Sequence, residues 1–267
     1  MKIYDAHTHI FPEKIAHKAA VNIGKFYDID MYEDAFVEKL KSSSAQIGTE
    51  KMLVCSSAVV ESQVESINTF IAKACDENSE FLGLAAMHPK FEDFEIELDR
   101  ALNMGLVGVK FHPDFQKFNI DDDSAVEMYS AIAKRKMPVL FHMGDNRYDF
   151  SSPKRLVNLM EKVPELVVHA AHFGGYMAWD EAYDCLPVCD RLVFDTSSAL
   201  FLLDKKKVYS FVEKFGVDKF MFGTDFPMWN PKEELDRFLS LGFDDNTNRA
   251  MFYENFERFY CGLKHNA

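Results

Sequence analysis

Short apolar or β-branched runs recur along the chain, and amphipathic stretches lie between them. Eight such runs stand out: Lys2 to His9, Lys51 to Ser57, Phe81 to His88, Leu106 to His112, Pro138 to His142, Leu166 to His172, Leu192 to Thr196 and Lys219 to Asp225. The stretches between them include Asp34 to Ile47, Glu61 to Asn78, Glu92 to Asn103, Ser124 to Lys136, Pro153 to Lys162 and Lys206 to Phe215. In the second of these, Val64, Ile67, Phe70, Ile71 and Ala74 fall on one helical stripe. Strand then helix, repeated, is the pattern of βα units around a parallel sheet. Pro153 and Pro231 suit the first turn of a helix, where a missing N–H costs nothing, and Asp123 suits an N-cap. The segment from Phe11 to Tyr32 reads as a long βα loop able to cover a site.

Eight such units can close into a barrel or stay open as a doubly wound sheet. The glycine-rich turn of a dinucleotide fold is missing after the first run, where His7-Thr8-His9 stands instead. The expectation is therefore an α/β TIM (β/α)8 barrel, a single domain over residues 1–267. With 48% hydrophobic residues the chain can fill a large core. Its net charge of −13 argues against nucleic-acid or anionic-membrane partners, both of which need basic surface. No apolar run is long enough to span a bilayer, and the start lacks a secretory pattern, so a cytoplasmic location is expected. The five cysteines are odd in number and sit mainly in apolar contexts, as reduced thiols do.

Candidate chemistry collects at the ends of the runs. His7 and His9, two apart on a strand, point to one face. Runs ending at His142, His172 and Asp225 would meet them at the C-terminal mouth of a barrel. His7, His9, His142 and Asp225 together offer three neutral nitrogens and a carboxylate, a set for one divalent ion, zinc first, with manganese and iron also suited. Lys110 shares its strand face with Gly108 and His112 and is expected to point inward and bind substrate; His112 and Arg147 are further candidate substrate contacts. His88 and His112 each precede a proline at a strand end and could touch substrate, but each is first expected to satisfy a loop backbone group. His169 is expected to face the helices, and His17 and His265 to lie in solvent. Phe226 to Trp229 could wall a pocket or fill the core.

The ordered set DAHTHIFP, GVKFHP, the His142 strand, HAAHFGG and FGTDFP resembles the amidohydrolase superfamily, in the branch of aminocarboxymuconate semialdehyde decarboxylase and related metal-dependent hydrolases. The likeness runs from the first strand to NFERFY, which is similar to that family's closing helix. It implies metal ligation by His7, His9, His142 and Asp225, and a catalytic or second-site role for His172. It further implies a metal-activated water acting on a small amide, lactone or ester, with Asp225 moving the proton and His172 orienting the water or bonding the oxyanion. The alternative is non-oxidative decarboxylation of a small acid on the same cage. In two-metal members a carboxylated lysine corresponds to Lys110; here one metal is expected. A homodimer also fits the resemblance.

Overall fold

The computed structural model describes residues 1–262, so His265 lies outside the described residues. Eight parallel strands follow one another around a barrel: β1 (Ile3–His9), β2 (Thr49–Cys55), β3 (Phe81–Ala86), β4 (Gly108–Phe111), β5 (Val139–Phe141), β6 (Val168–Ala170), β7 (Leu192–Asp195) and β8 (Phe220–Met221). The last strand is short, yet the chain beyond it runs beside β1. Ala6 N donates to Phe222 O, Asp225 N to His7 O and His9 N to Phe226 O, each at 2.8 Å. These bonds join the last strand to the first, giving the expected TIM barrel.

The helices are α1 (Glu13–Tyr27), α2 (Val37–Ala45), α3 (Val64–Glu77), α4 (Phe94–Asn103), α5 (Pro113–Gln116), α6 (Asp123–Lys134), α7 (Pro153–Lys162), α8 (Trp179–Cys185), α9 (Lys205–Phe215), α10 (Pro231–Ser240) and α11 (Asp245–Arg249). Pro153 and Pro231 occupy first-turn positions as expected. The cap of α6 is Asp122, whose side chain accepts from Ser124 N, rather than Asp123. The segment read as a loop holds a larger correction, for α1 spans fifteen residues of it. Its buried face is Ala16, Ala20 and Gly24, a stripe too small and weakly apolar to register as periodic, although good helix formers fill the run. Gly24 is required there: a Cβ would come within 2.8 Å of Ile29 O.

Tyr4, Leu53, Leu82, Leu84, Leu140, Val193 and Met221, from six strands, meet inside the barrel with Phe256 and Tyr260 of the C-terminal helical segment. Those two rings seal the barrel floor; Phe256 lies edge-on to Tyr4 at 5.4 Å. His169 belongs to this interior, contrary to expectation. It pairs across the sheet with Leu140 and Val193, and its Nδ1 lies 2.7 Å from Tyr260 Oη. Counting parity back from His172 fails because β6 stops at Ala170 and the chain turns before His172. No helix among the described residues is long and apolar enough to cross a membrane.

The inner face of α10 carries an acid, Glu234, beside Leu235 and Phe238. Burial pushes its carboxyl up to about 7, with Arg237 opposing. Because the folded state then holds the proton more tightly than the unfolded chain, stability is fully present below about 4.5 and declines as pH rises to about 7. The decline is expected to reach at most about 3 kcal/mol, at about 1.4 kcal/mol per unit. Urea unfolding at pH 5 and pH 8 should show a smaller difference for Glu234→Gln than for the parent; equal differences would refute the assignment.

Candidate active site

The H-x-H pair reaches the mouth through an irregularity in β1. Asp5 pairs with Met52 and Thr8 with Val54, so two residues of β1 lie against one of β2. This bulge resets the alternation, and His7 and His9 both line the cavity. The Nδ1 of His7 is 2.9 Å from Asp195 Oδ2. An acceptor there fixes the proton on Nδ1 and leaves the Nε2 lone pair facing inward. Lys110 Nζ lies 3.0 Å from that Nε2. His9 Nε2 is 3.1 Å from Asp225 Oδ1, and His7 Nε2 is 3.6 Å from the same oxygen. On the other side of its ring, His9 Nδ1 lies 3.5 Å from Cys55 Sγ. The second oxygen of Asp225 accepts from Ser198 Oγ at 2.5 Å, which accepts from Trp229 Nε1 at 2.7 Å.

Electrostatics follow from these contacts. Burial, then the Lys110 ammonium, push His7 down to about 3. Burial also lowers Lys110. For His9, burial works against the charged form but is outweighed by Cys55 and Asp225, which raise it to about 9. Burial alone would raise the Asp225 carboxyl, yet the facing His7, His9 and His172 hold it well below the usual range.

A second row of rings extends outward from this cluster. His172 stacks on His7 with centroids 5.2 Å apart, and its Nε2 lies 3.1 Å from His142 Nδ1. His172 Nδ1 is 3.0 Å from Ser197 O, a pure acceptor. His142 Nε2 is 3.4 Å from Tyr27 Oη, which is 3.0 Å from His112 Nε2. His112 Nδ1 accepts from Phe115 N at 3.4 Å. Read with one proton per neutral ring, the bonds run one way: Phe115 N–H to His112, to Tyr27, to His142, to His172, to Ser197 C=O. Burial first, and neighbouring cations second, hold His112 and His142 well below the ordinary histidine value, consistent with neutral rings.

Several of these positions are conformationally costly. His172, Phe173, Ser198 and Asp225 all have φ between 48° and 59°, the left-handed region that charges non-glycine residues roughly 1–3 kcal/mol each. Strain gathered at one mouth is what a built site shows. Gly144, at φ 82°, lets the Tyr176 backbone approach, since a Cβ would collide with Tyr176 O and N. That approach places the Tyr176 ring 6.0 Å from His172.

Of the residues singled out in the sequence, His7, His9, Lys110, His112, His142, His172 and Asp225 all line one cavity of about 930 Å³. His7, His9 and Asp225 converge directly, whereas His142 stands one ring further out, behind His172. Pro227 and Met228 also line the cavity, while Phe226 packs in the core. Arg147 is not brought to this wall. It forks onto Asp145 and donates to Phe26 O, pinning the end of α1. His88 accepts from Lys90 N, a backbone role as expected, and His17 lies exposed against Asp34. Sequence reasoning missed Asp195, which lies 2.9 Å from both His7 and His169 and accepts from the backbone of His172 and Ser197. Its signal was available: VFDTSS ends strand seven with an acid, as FGTDFP supplies one after strand eight. Asp5 was missed too. It accepts from His7 N, Thr224 N and Thr224 Oγ1 and ties β1 to the exit of β8. Tyr27 had no signal once its segment was read as loop.

A family model described as amidohydrolase matches residues 4–261. No protein of curated function matches the chain in sequence. Among solved structures it is similar to 5-carboxyvanillate decarboxylase from Sphingomonas paucimobilis, with a TM-score of 0.74 and 12% identity over 97% of this chain and 99% of that one. A putative 2-pyrone-4,6-dicarboxylic acid hydrolase from Pseudomonas putida aligns with a TM-score of 0.72 and 13% identity, over 98% of each chain. A dihydroxybenzoic acid decarboxylase from Polaromonas sp. JS666, with bound manganese and the inhibitor 2-nitroresorcinol, aligns with a TM-score of 0.71 and 15% identity, over 100% of this chain and 98% of that one. At these identities the likeness concerns the fold.

Proposed function

Since the chain belongs to the amidohydrolase family, we propose that it is a metal-dependent hydrolase of a small carbonyl substrate such as an amide, lactone or ester. The observation that carries this reading is the convergence of His7 Nε2, His9 Nε2 and Asp225 Oδ1, with the far sides of both rings engaged by Asp195 and Cys55. The donor set fits a divalent cation: two ring nitrogens and a carboxylate face one point, in surroundings too buried to leave a carboxylate without a counter-charge. His7, His9 and Asp225 would hold the ion, with His142 as fourth ligand. Zinc suits such a set, and so do manganese and iron. The bound ion would supply Lewis acidity, polarising the substrate carbonyl and making water more acidic.

The chain's own groups supply the rest. Asp225 is positioned by Ser198 and Trp229 to accept a proton from water and return it to a leaving group. His172, its Nδ1–H held by Ser197, has its lone pair on Nε2, 3.1 Å from His142 Nδ1; that atom would orient water by accepting from it, and only once protonated would it donate to the oxygen that gains charge. Lys110 is a buried ammonium at the same mouth and would hold a substrate carboxylate, with His112 beside it. That ammonium favours a second reading, decarboxylation of a small acid, the activity named for two of the similar structures. Purified protein loaded with zinc or manganese should therefore be given lactones, esters and amides in one panel and hydroxylated benzoic acids in another. Ring opening or ester cleavage supports the hydrolase, carbon dioxide release supports the second reading, and a cation-loaded protein inert in both panels counts against an enzyme of either kind.

A further inference from the structure

Helix α1 distributes its side chains in the reverse of the usual order. Toward the protein it turns Ala16, Ala20 and Gly24. Toward the cavity it turns Ile15, Ile23 and Phe26, with Ala19 between them, a second stripe at helical spacing beside the first. A helix that only closed the mouth would bury its large apolar residues and leave its small ones facing the void, because large side chains gain most from burial. Here Ile15 stays 44% exposed, and Ile23 and Phe26 are half-buried.

The facing wall is apolar too. Val59, ahead of α3, is exposed, and Ile67 and Phe70, three apart on one face of α3, are only partly buried against the core; all three line the same cavity. Two apolar helix faces thus border one space that is continuous with the reacting groups. At its inner end the Tyr27 hydroxyl meets His112 and His142, and the Phe26 ring stands edge-on to Phe115 at 4.8 Å. From Phe26 back to Ile15 the helix rises roughly 17 Å, at about 1.5 Å per residue. Lys14 and Lys18, exposed on the same wall, mark where the apolar track ends. A cavity of about 930 Å³ lies near the top of the range for whole drug-sized ligands and exceeds what a small reacting carbonyl fills.

We propose that the substrate carries a linear alkyl or acyl arm, which lies along α1 from Phe26 to Ile15 and against Ile67 and Phe70 while its carbonyl reacts at the His7, His9 and Asp225 end. The inference rests on the carbonyl chemistry proposed above and adds the wall that determines specificity. A long, narrow track fits a chain better than a compact ring system. Burying each methylene is worth roughly a threefold gain in affinity, so α1 selects among substrates that share one reacting group.

The test uses the full-length, zinc-loaded protein and two probe series. Straight-chain carboxylates from butanoate through octanoate to dodecanoate, each below its micelle concentration, are read for affinity by calorimetry, and the matching methyl esters are read for turnover. Affinity is expected to rise roughly threefold per methylene and to level off once the arm passes Ile15. Ala19→Phe, which fills the track, should weaken dodecanoate by roughly tenfold or more and leave butanoate unchanged. Ile15→Asp, at an exposed position that does not endanger the fold, should likewise weaken dodecanoate alone. Affinity independent of chain length, or a length dependence that both variants leave intact, overturns the proposal. Ester turnover that ignores chain length also overturns it, while leaving the hydrolase reading in place. A length dependence lost in both variants, with no ester hydrolysed, upholds the apolar track and removes the hydrolase reading.

Discussion

Asp225→Asn is expected to lower turnover by roughly 10²- to 10⁴-fold, the range for loss of a positioned proton-transfer group. The amide keeps the shape of the carboxylate but cannot accept a proton from water. It also exchanges an anion for a dipole at a point faced by His7 and His9, 3.6 Å and 3.1 Å away. Cation content and turnover should be measured together. Loss of both would make Asp225 chiefly a ligand, whereas loss of turnover with the ion retained would isolate its role in moving the proton. Ser198→Ala, which leaves the carboxylate and removes only one donor to it, should cost far less. An Asp225→Asn protein with full activity would sink the proposed function.

Tyr260→Ala should produce the largest loss of stability, about 3–5 kcal/mol by analogy with other large aromatic truncations. Its ring is fully buried at the floor of the barrel against Phe256, 5.3 Å away. Strands from opposite sides of the barrel pack against this plug, so a cavity left there is lined by elements that cannot close together without shearing the sheet. The substitution also strips His169 Nδ1 of its bond to the hydroxyl. Tyr260→Phe separates the two effects: it keeps the ring and should cost about 1–3 kcal/mol for the buried nitrogen left without a partner. Urea unfolding gives both values, and a loss below about 1 kcal/mol for Tyr260→Ala would show that the floor does not depend on this ring.

The barrel was legible because each of its strands carries its own apolar run, and a run followed by a helical stripe needs no knowledge of its neighbours to be recognised. His142, His172 and Asp225 were legible for a related reason, since residues at strand exits of a barrel converge wherever they fall in the chain. What failed was any inference that depended on unbroken alternation or on strong periodicity. His169 was placed on the wrong face because the turn at Ala171 breaks the count. The helix α1 has no periodic signature in the sequence because its buried face, Ala16, Ala20 and Gly24, covers almost no apolar surface. With α1 went Tyr27, and with Tyr27 the link between His112 and His142. Arg147 stood at the right height in the sequence but turned to Asp145, a partner two residues away that no pattern distinguishes from a substrate.

The row of neutral rings from Phe115 to Ser197 has a consequence for where charge can travel. Its first member is a peptide N–H that cannot take up a proton, and its last is a peptide carbonyl that cannot hand one on. Such a row is a cul-de-sac: it orients its rings but conducts nothing through to the far side. Tyr260 and Phe256 stop the barrel floor with apolar surface. Protons exchanged during turnover must therefore come and go through the mouth beneath α1, past Tyr27, so buffer access at that opening rather than any internal wire would set the pace of proton exchange with bulk water.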